Sequence, residues 1–83
     1  MWFVYIIRCK DGKLYTGITN NLERRITEHN SGHGGCFTRF RKPVTLVYCC
    51  KVSSRSEALK REAVIKKLRR EEKMDLIRSF GTS

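Results

Sequence analysis

The chain has 83 residues, 40% hydrophobic and 31% charged, which is the balance of one soluble globular domain spanning 1–83 and leaves no room for a second. Eighteen lysines and arginines against eight acids give a net charge of +10 and a pI near 10.0. That excess favours a polyanionic partner, most simply a nucleic acid, over a merely solubilising basic surface.

Trp2-Phe3-Val4-Tyr5-Ile6-Ile7 is β-rich and apolar on both faces, so it predicts an inner strand. Asp11-Gly12 marks a tight turn, and Leu14 to Thr19 forms a second strand. Asn20, with Glu23 three residues later, resembles a capping box opening a helix that runs to about Asn30 and stops at Ser31-Gly32. Residues 31–43 read as a glycine-bearing loop that turns basic and is closed by Pro43. Val44 to Cys50 predicts a third strand, again apolar on both faces. Ser54 with Glu57 starts another helix, ending near Lys67 or Leu68. A short third helix follows over roughly Glu71 to Phe80, carrying Met74, Ile77 and Phe80 at three-residue spacing. The predicted fold class is α+β, ordered β-β-α-β-α-α: a small, mainly antiparallel three-stranded sheet flanked by three helices.

The basic excess is uneven, with five basic and three acidic residues over 1–30 against thirteen and five over 31–83. The apolar run Trp2 to Ile7 is too short for a signal segment or a membrane span. Cys9, Cys36, Cys49 and Cys50 form no C-x-x-C pair, and a zinc site joining them to His29 or His33 lacks ligand spacing. The expectation is a reduced, cytoplasmic protein whose thiols act mostly as small hydrophobes.

Three places set polar chemistry against the apolar pattern. Glu62 has Ala58, Leu59, Ile65 and Lys66 as its helix-face neighbours. Three of these four are apolar, so the carboxylate sits on the inward stripe. A buried carboxylate is costly unless it is paired or binds a metal. The choices are an internal ion pair with an arginine or a ligand for a hard cation such as Mg²⁺.

On the first helix, at about 100° per residue from Leu22, Ile26 falls near 40°, His29 near −20° and Arg25 near −60°. Arg25 and His29 therefore border the apolar stripe, while Arg24 points to solvent. Arg25 is suited to holding a phosphate through its planar fork, and His29 to donating to one or moving a proton near neutral pH. The plain alternative has His29 bonded to a backbone carbonyl and Arg25 paired with Glu62.

Tyr5 and Tyr15 lie on the two hairpin strands. A two-residue turn pairs residues whose numbers sum to 23 and sends the tyrosines to opposite faces. An odd-length loop with a glycine bulge shifts the sum to 24 and puts both on one face. Local sequence leaves both open. Gly17 hints at a close backbone approach beside Tyr15.

Taken in order, Phe3-Val4-Tyr5, Tyr15-Thr16-Gly17, Asn21-Leu22-Glu23-Arg24-Arg25, His29 and Glu62 resemble the GIY-YIG nuclease domain, over about residues 2 to 77. The stretches YTGIT, LERR with EHNSG, and ALKRE look closest to the small branch in which that domain stands alone. The resemblance implies that Tyr5 and Tyr15 position or activate the attacking water. It implies that Arg25 contacts the scissile phosphate, that His29 joins the site, and that Glu62 holds a single divalent cation, Mg²⁺ or Mn²⁺. It also implies one pocket for both tyrosines, hence the odd-length loop. Phe3 replaces the first motif's glycine, Thr16 the second motif's isoleucine, and Ile18 stands where repair excinuclease members carry a lysine.

The expected activity is metal-dependent phosphodiester hydrolysis in DNA or RNA with little sequence specificity. Thr38, Arg39, Arg41 and Lys42 are the residues expected to grip neighbouring phosphates. A protein partner supplying specificity is compatible with the sequence. The alternative is a nucleic-acid-binding module on a nuclease scaffold with weak or no catalysis.

Overall fold

A computed structural model describes residues 1–33 and 41–81, Gly81 by its backbone alone. Six elements run in the order β1 (Trp2–Arg8), β2 (Leu14–Thr19), α1 (Leu22–Asn30), β3 (Thr45–Val52), α2 (Arg55–Lys66) and α3 (Arg70–Gly81). The strands form one antiparallel sheet in the order β2-β1-β3. This is the α+β, β-β-α-β-α-α arrangement expected from the sequence.

β1 is the middle strand because its apolar run needs cover on both faces. Val4, Tyr5, Ile6 and Ile7 are all at most 1% exposed. The even-numbered pair packs with Tyr48, Ala58 and Ile65 on the side of α2 and α3. The odd-numbered pair packs with Cys9 and Val44, and with Leu22 and Ile26 of α1. Each buried aliphatic side chain contributes about 1.5–3 kcal/mol, so the sheet is held from both faces.

The β1–β2 hairpin settles the question of register. Gly12 N donates to Cys9 O at 2.9 Å, and Cys9 N donates to Lys13 O at 2.8 Å. Gly12 has φ +87, the left-handed conformation that closes a three-residue loop with a glycine bulge. Tyr5 stands opposite Gly17 and Ile7 opposite Tyr15. The loop is odd, and the tyrosines share a face. The pairing nevertheless differs from both sums considered above, because Lys13 belongs to the turn closure and shifts the partner of Tyr5 to Gly17.

The helix caps follow local chemistry, with one displacement. α1 is capped by Asn21, not Asn20, its Oδ1 accepting from Arg24 N at 3.1 Å. Thr19 Oγ1 accepts from Asn21 N at 3.1 Å, and this turn leaves Asn20 outside the helix. Ser54 caps α2 as expected, accepting from Glu57 N at 3.2 Å. Gly32, at φ +85, takes the left-handed position just past the end of α1.

β3 is an edge strand and begins one residue later than expected. Val44 is buried, but both its backbone groups go to Asn30. Val44 N donates to Asn30 Oδ1 at 2.7 Å, and Asn30 Nδ2 donates to Val44 O at 3.3 Å. One side chain thus replaces a ladder rung and ties the end of α1 to the sheet. Along β3 itself only Tyr48 is buried, so this strand is not apolar-covered on both faces.

Candidate active site

The site is built where β1, β2 and α1 meet. Tyr5 and Tyr15 project from the α1 side of the sheet, their rings 6.4 Å apart. His29 enters from α1 and lies edge-on to both, with ring separations of 6.0 Å to Tyr5 and 5.3 Å to Tyr15.

Gly17 explains how Tyr5 reaches its position. A Cβ at residue 17 would lie 2.6 Å from the Tyr5 hydroxyl, 2.8 Å from its Cζ and 3.1 Å from Tyr15 Cε1. Only a residue without a side chain lets the Tyr5 ring lie across β2 at this point. The glycine is therefore a steric requirement of the tyrosine on the neighbouring strand.

Beneath the surface, the Tyr5 hydroxyl is 3.0 Å from His29 Nε2, and both residues are almost wholly buried. Instead of a boundary histidine turning Nε2 to a backbone carbonyl, the chain has a core histidine joined to a phenol. Burial pushes the Tyr5 phenol above its ordinary value, against a lowering hydrogen bond with the Arg25 side chain. Burial lowers His29, and the nearby Arg25 charge lowers it further. At neutral pH the pair is a neutral phenol beside a neutral imidazole. Arg25 can only donate. Tyr5 therefore accepts from Arg25 and has its own proton to give to His29.

Arg25 stands at the rim, its side chain 29% exposed, paired with Glu28 at 3.1 Å. Glu62 pairs with Lys66 one turn along α2, at 3.4 Å, its own side chain 19% exposed. Ala58 and Ile65 beside it are buried, but Leu59 is 41% exposed, so Glu62 sits at the margin of the apolar stripe and not within it. Its negative charge is nonetheless near enough to raise the Tyr5 phenol. Tyr5 thus feels Tyr15, Arg25 and Glu62 together.

A single half-buried carboxylate fits Mg²⁺, which commonly takes one or two carboxylates and completes its shell with water and substrate phosphate. It does not make an all-protein metal cage. No group of three His, Cys, Asp or Glu able to hold a metal occurs among the described residues.

The expected phosphate-gripping loop is less simple. Thr38 and Arg39 lie outside the described residues. Arg41 bonds Asp11 of the hairpin turn at 3.1 Å, and its backbone O accepts from Lys10 N at 2.9 Å. It is anchored to the β1–β2 turn and is only partly exposed. Lys42 is exposed. Asn30, which fixes α1 against Val44, carried no sequence signal beyond lying at a helix end.

The GIY-YIG catalytic domain family model matches residues 1–75. A UPF0213 protein of Desulfotalea psychrophila is 56% identical over 79 residues, covering 94% of this chain and 72% of its own length. A UPF0213 protein of Staphylococcus saprophyticus is 49% identical over 75 residues, covering 90% and 92%. Among solved structures, the solution structure of a UPF0213 protein from Bacillus halodurans is similar with a TM-score of 0.59 at 44% identity, covering 93% of this chain and 83% of that one. That of a protein from E. faecalis is similar with a TM-score of 0.63 at 43% identity, covering 98% and 86%.

Proposed function

We propose that this chain, which belongs to the GIY-YIG family, hydrolyses phosphodiester bonds in nucleic acid with the help of one divalent cation. The observation that carries the proposal is the Tyr5–His29 pair lying under Arg25, with the charge of Glu62 acting on the same phenol. A binding module has little use for a buried proton pathway.

In the free protein Arg25 hydrogen-bonds the Tyr5 hydroxyl. When a phosphate takes the guanidinium fork, the phenol oxygen is released to accept from water. Water then gives a proton to Tyr5 O as Tyr5 passes its own to His29 Nε2. The hydroxide equivalent attacks phosphorus, the leaving oxygen departs with the bonding pair, and the imidazolium returns its proton to solvent. Arg25 stabilises the added negative charge on the crowded phosphate, where preorganised donors act most strongly. Tyr15, half-buried beside His29, orients the water. Glu62 would hold Mg²⁺ or Mn²⁺ once Lys66 turns away. When bound, the cation would neutralise charge developing on the phosphate and the leaving oxygen.

The weak-catalysis reading is favoured by one observation, the Glu62–Lys66 pair, which occupies the carboxylate in the free protein. The deciding experiment incubates branched, flapped, single-stranded and duplex substrates in Mg²⁺ with the native protein, Glu62→Ala and Arg25→Ala. Cleavage by the native protein that both variants lose while still binding supports the enzyme. Equal trace cleavage by all three rejects it.

A further inference from the structure

We infer that a second cleft, formed by Lys13, Arg70 and Lys73 over Leu14, grips the backbone of a single-stranded segment adjoining the scissile bond; the identity of that strand rests on the nuclease reading. The cleft lies between the β1–β2 turn and the start of α3. Arg70 Nη2 donates to Gly12 O at 3.1 Å, which aims the guanidinium and leaves other N–H donors for a ligand. Lys13 is exposed and Lys73 half-buried.

Three cations facing one cleft repel one another, and the acids nearest them are engaged elsewhere. Glu71 and Glu72 pair with Arg69, and Asp75 pairs with Arg78. Asp11 accepts from Arg41 and from the Lys13 backbone N–H. Lys13, Arg70 and Lys73 enter no ion pair among the described residues. An anion from outside the chain is the counter-charge this arrangement fits.

The cleft lies next to the proposed site across the edge strand β2, since Leu14 on one face directly precedes Tyr15 on the other. α2 packs along β1 and β2. α2 carries Glu62 and ends at Lys66, and only residues 67–69 separate it from Arg70 at the start of α3. A strand carries one charge per about 3.4 Å, so a short run of nucleotides presents a phosphate to each cation. Cations meeting a backbone supply grip without reading bases, and Leu14 offers the floor an apolar surface for a sugar or a base.

The test is fluorescence anisotropy in EDTA, where no metal-dependent cleavage proceeds, using labelled duplexes with single-stranded tails of none to six nucleotides. Native affinity should rise with tail length over this range. Lys13→Glu and Lys73→Glu should each remove most of that gain, about tenfold at low salt. Lys51→Glu, an exposed β3 lysine with the same change of charge, should keep it. Thermal melting of each variant separates lost grip from lost fold, and Arg70→Lys, which keeps the charge, should retain more of the gain than Lys73→Glu. Affinity independent of tail length, or an equal loss in Lys51→Glu, overturns the inference. Because the readout needs no turnover, tail-dependent binding without cleavage rejects only the nuclease reading, and cleavage without tail preference rejects only this one.

Discussion

The Tyr5 hydroxyl and His29 Nε2, 24 positions apart in sequence, meet at 3.0 Å in the core. The contact gives the proposed chemistry a path by which a proton leaves the site. Tyr5→Phe keeps the ring over Gly17 and removes that path together with the hydrogen bond from Arg25. We expect cleavage to fall about a hundred- to ten-thousand-fold, the usual scale of general acid–base catalysis. Stability should drop by about 1–3 kcal/mol, because His29 Nε2 loses its buried partner. Single-turnover cleavage and urea unfolding measure the two effects separately.

The same pair predicts a stability profile with two limbs. His29 resists protonation when folded, so between its folded value and the ordinary 6.5 the unfolded chain binds more protons. Stability from this group is therefore complete above about 6.5 and lost as the pH falls below it. Tyr5 resists ionisation, so its contribution is present below 10.0 and lost as the pH rises through that value toward the raised folded one. Urea midpoints measured across pH should show a plateau between these limits. His29→Gln should flatten the acid limb and leave the alkaline limb in place.

Much of this site was legible in the sequence because its signals are local. The inner position of β1 follows from its unbroken apolar run, and the bound of β2 from Leu14 and Thr19. Gly17 in a strand announced a close approach, though not which ring made it. What could not be read needs distant partners. Asn20 and Asn21 are equally good caps until Thr19 folds its hydroxyl onto Asn21 N. The hairpin's odd length was indicated by the motif, but its register depended on Lys13 closing the turn with Cys9. The inward placement of Glu62 was only half right, since helix periodicity does not show how wide the buried stripe is. His29 is wholly buried because three elements close over it, which no single-helix pattern contains.

Asn30 is a structural hinge-pin with a measurable share of the stability. Its amide makes both a donor and an acceptor bond to the Val44 backbone. Asn30→Ala strips both and should destabilise the fold by about 1–3 kcal/mol. Asn30→Asp keeps the acceptor for Val44 N and should cost less. Hydrogen exchange at the Val44 amide should quicken in the alanine variant before the β1 amides respond.

Gly17→Ala tests the steric account of the second motif. The added methyl meets the Tyr5 phenol and Cζ well inside contact distance, so the ring must move off β2. Overpacking of this kind costs about 1–3 kcal/mol. Loss of the Tyr5–His29 bond should accompany it, and the acid limb of the pH profile should shrink as in His29→Gln. Gly12→Ala, which strains a left-handed turn with no atom within 4 Å of the new Cβ, should lower stability and leave that limb intact.

Lys66 and the proposed cation compete for one carboxylate. Lys66 Nζ lies 3.4 Å from Glu62 Oε2, with the lysine side chain 55% exposed and free to swing into water. An i,i+4 pair so placed is worth only about 0.3–0.5 kcal/mol, so it is a weak guard that a divalent ion displaces readily. Lys66→Ala should leave melting nearly unchanged and lower the Mg²⁺ concentration that gives half-maximal cleavage, by about twofold for a pair of that strength. Glu62→Gln should abolish metal-dependent cleavage at any Mg²⁺ concentration, and EDTA should do the same to the native protein. A metal titration unmoved in Lys66→Ala, with cleavage intact in Glu62→Gln, would remove Glu62 from the cation's shell and leave it as a surface partner of Lys66.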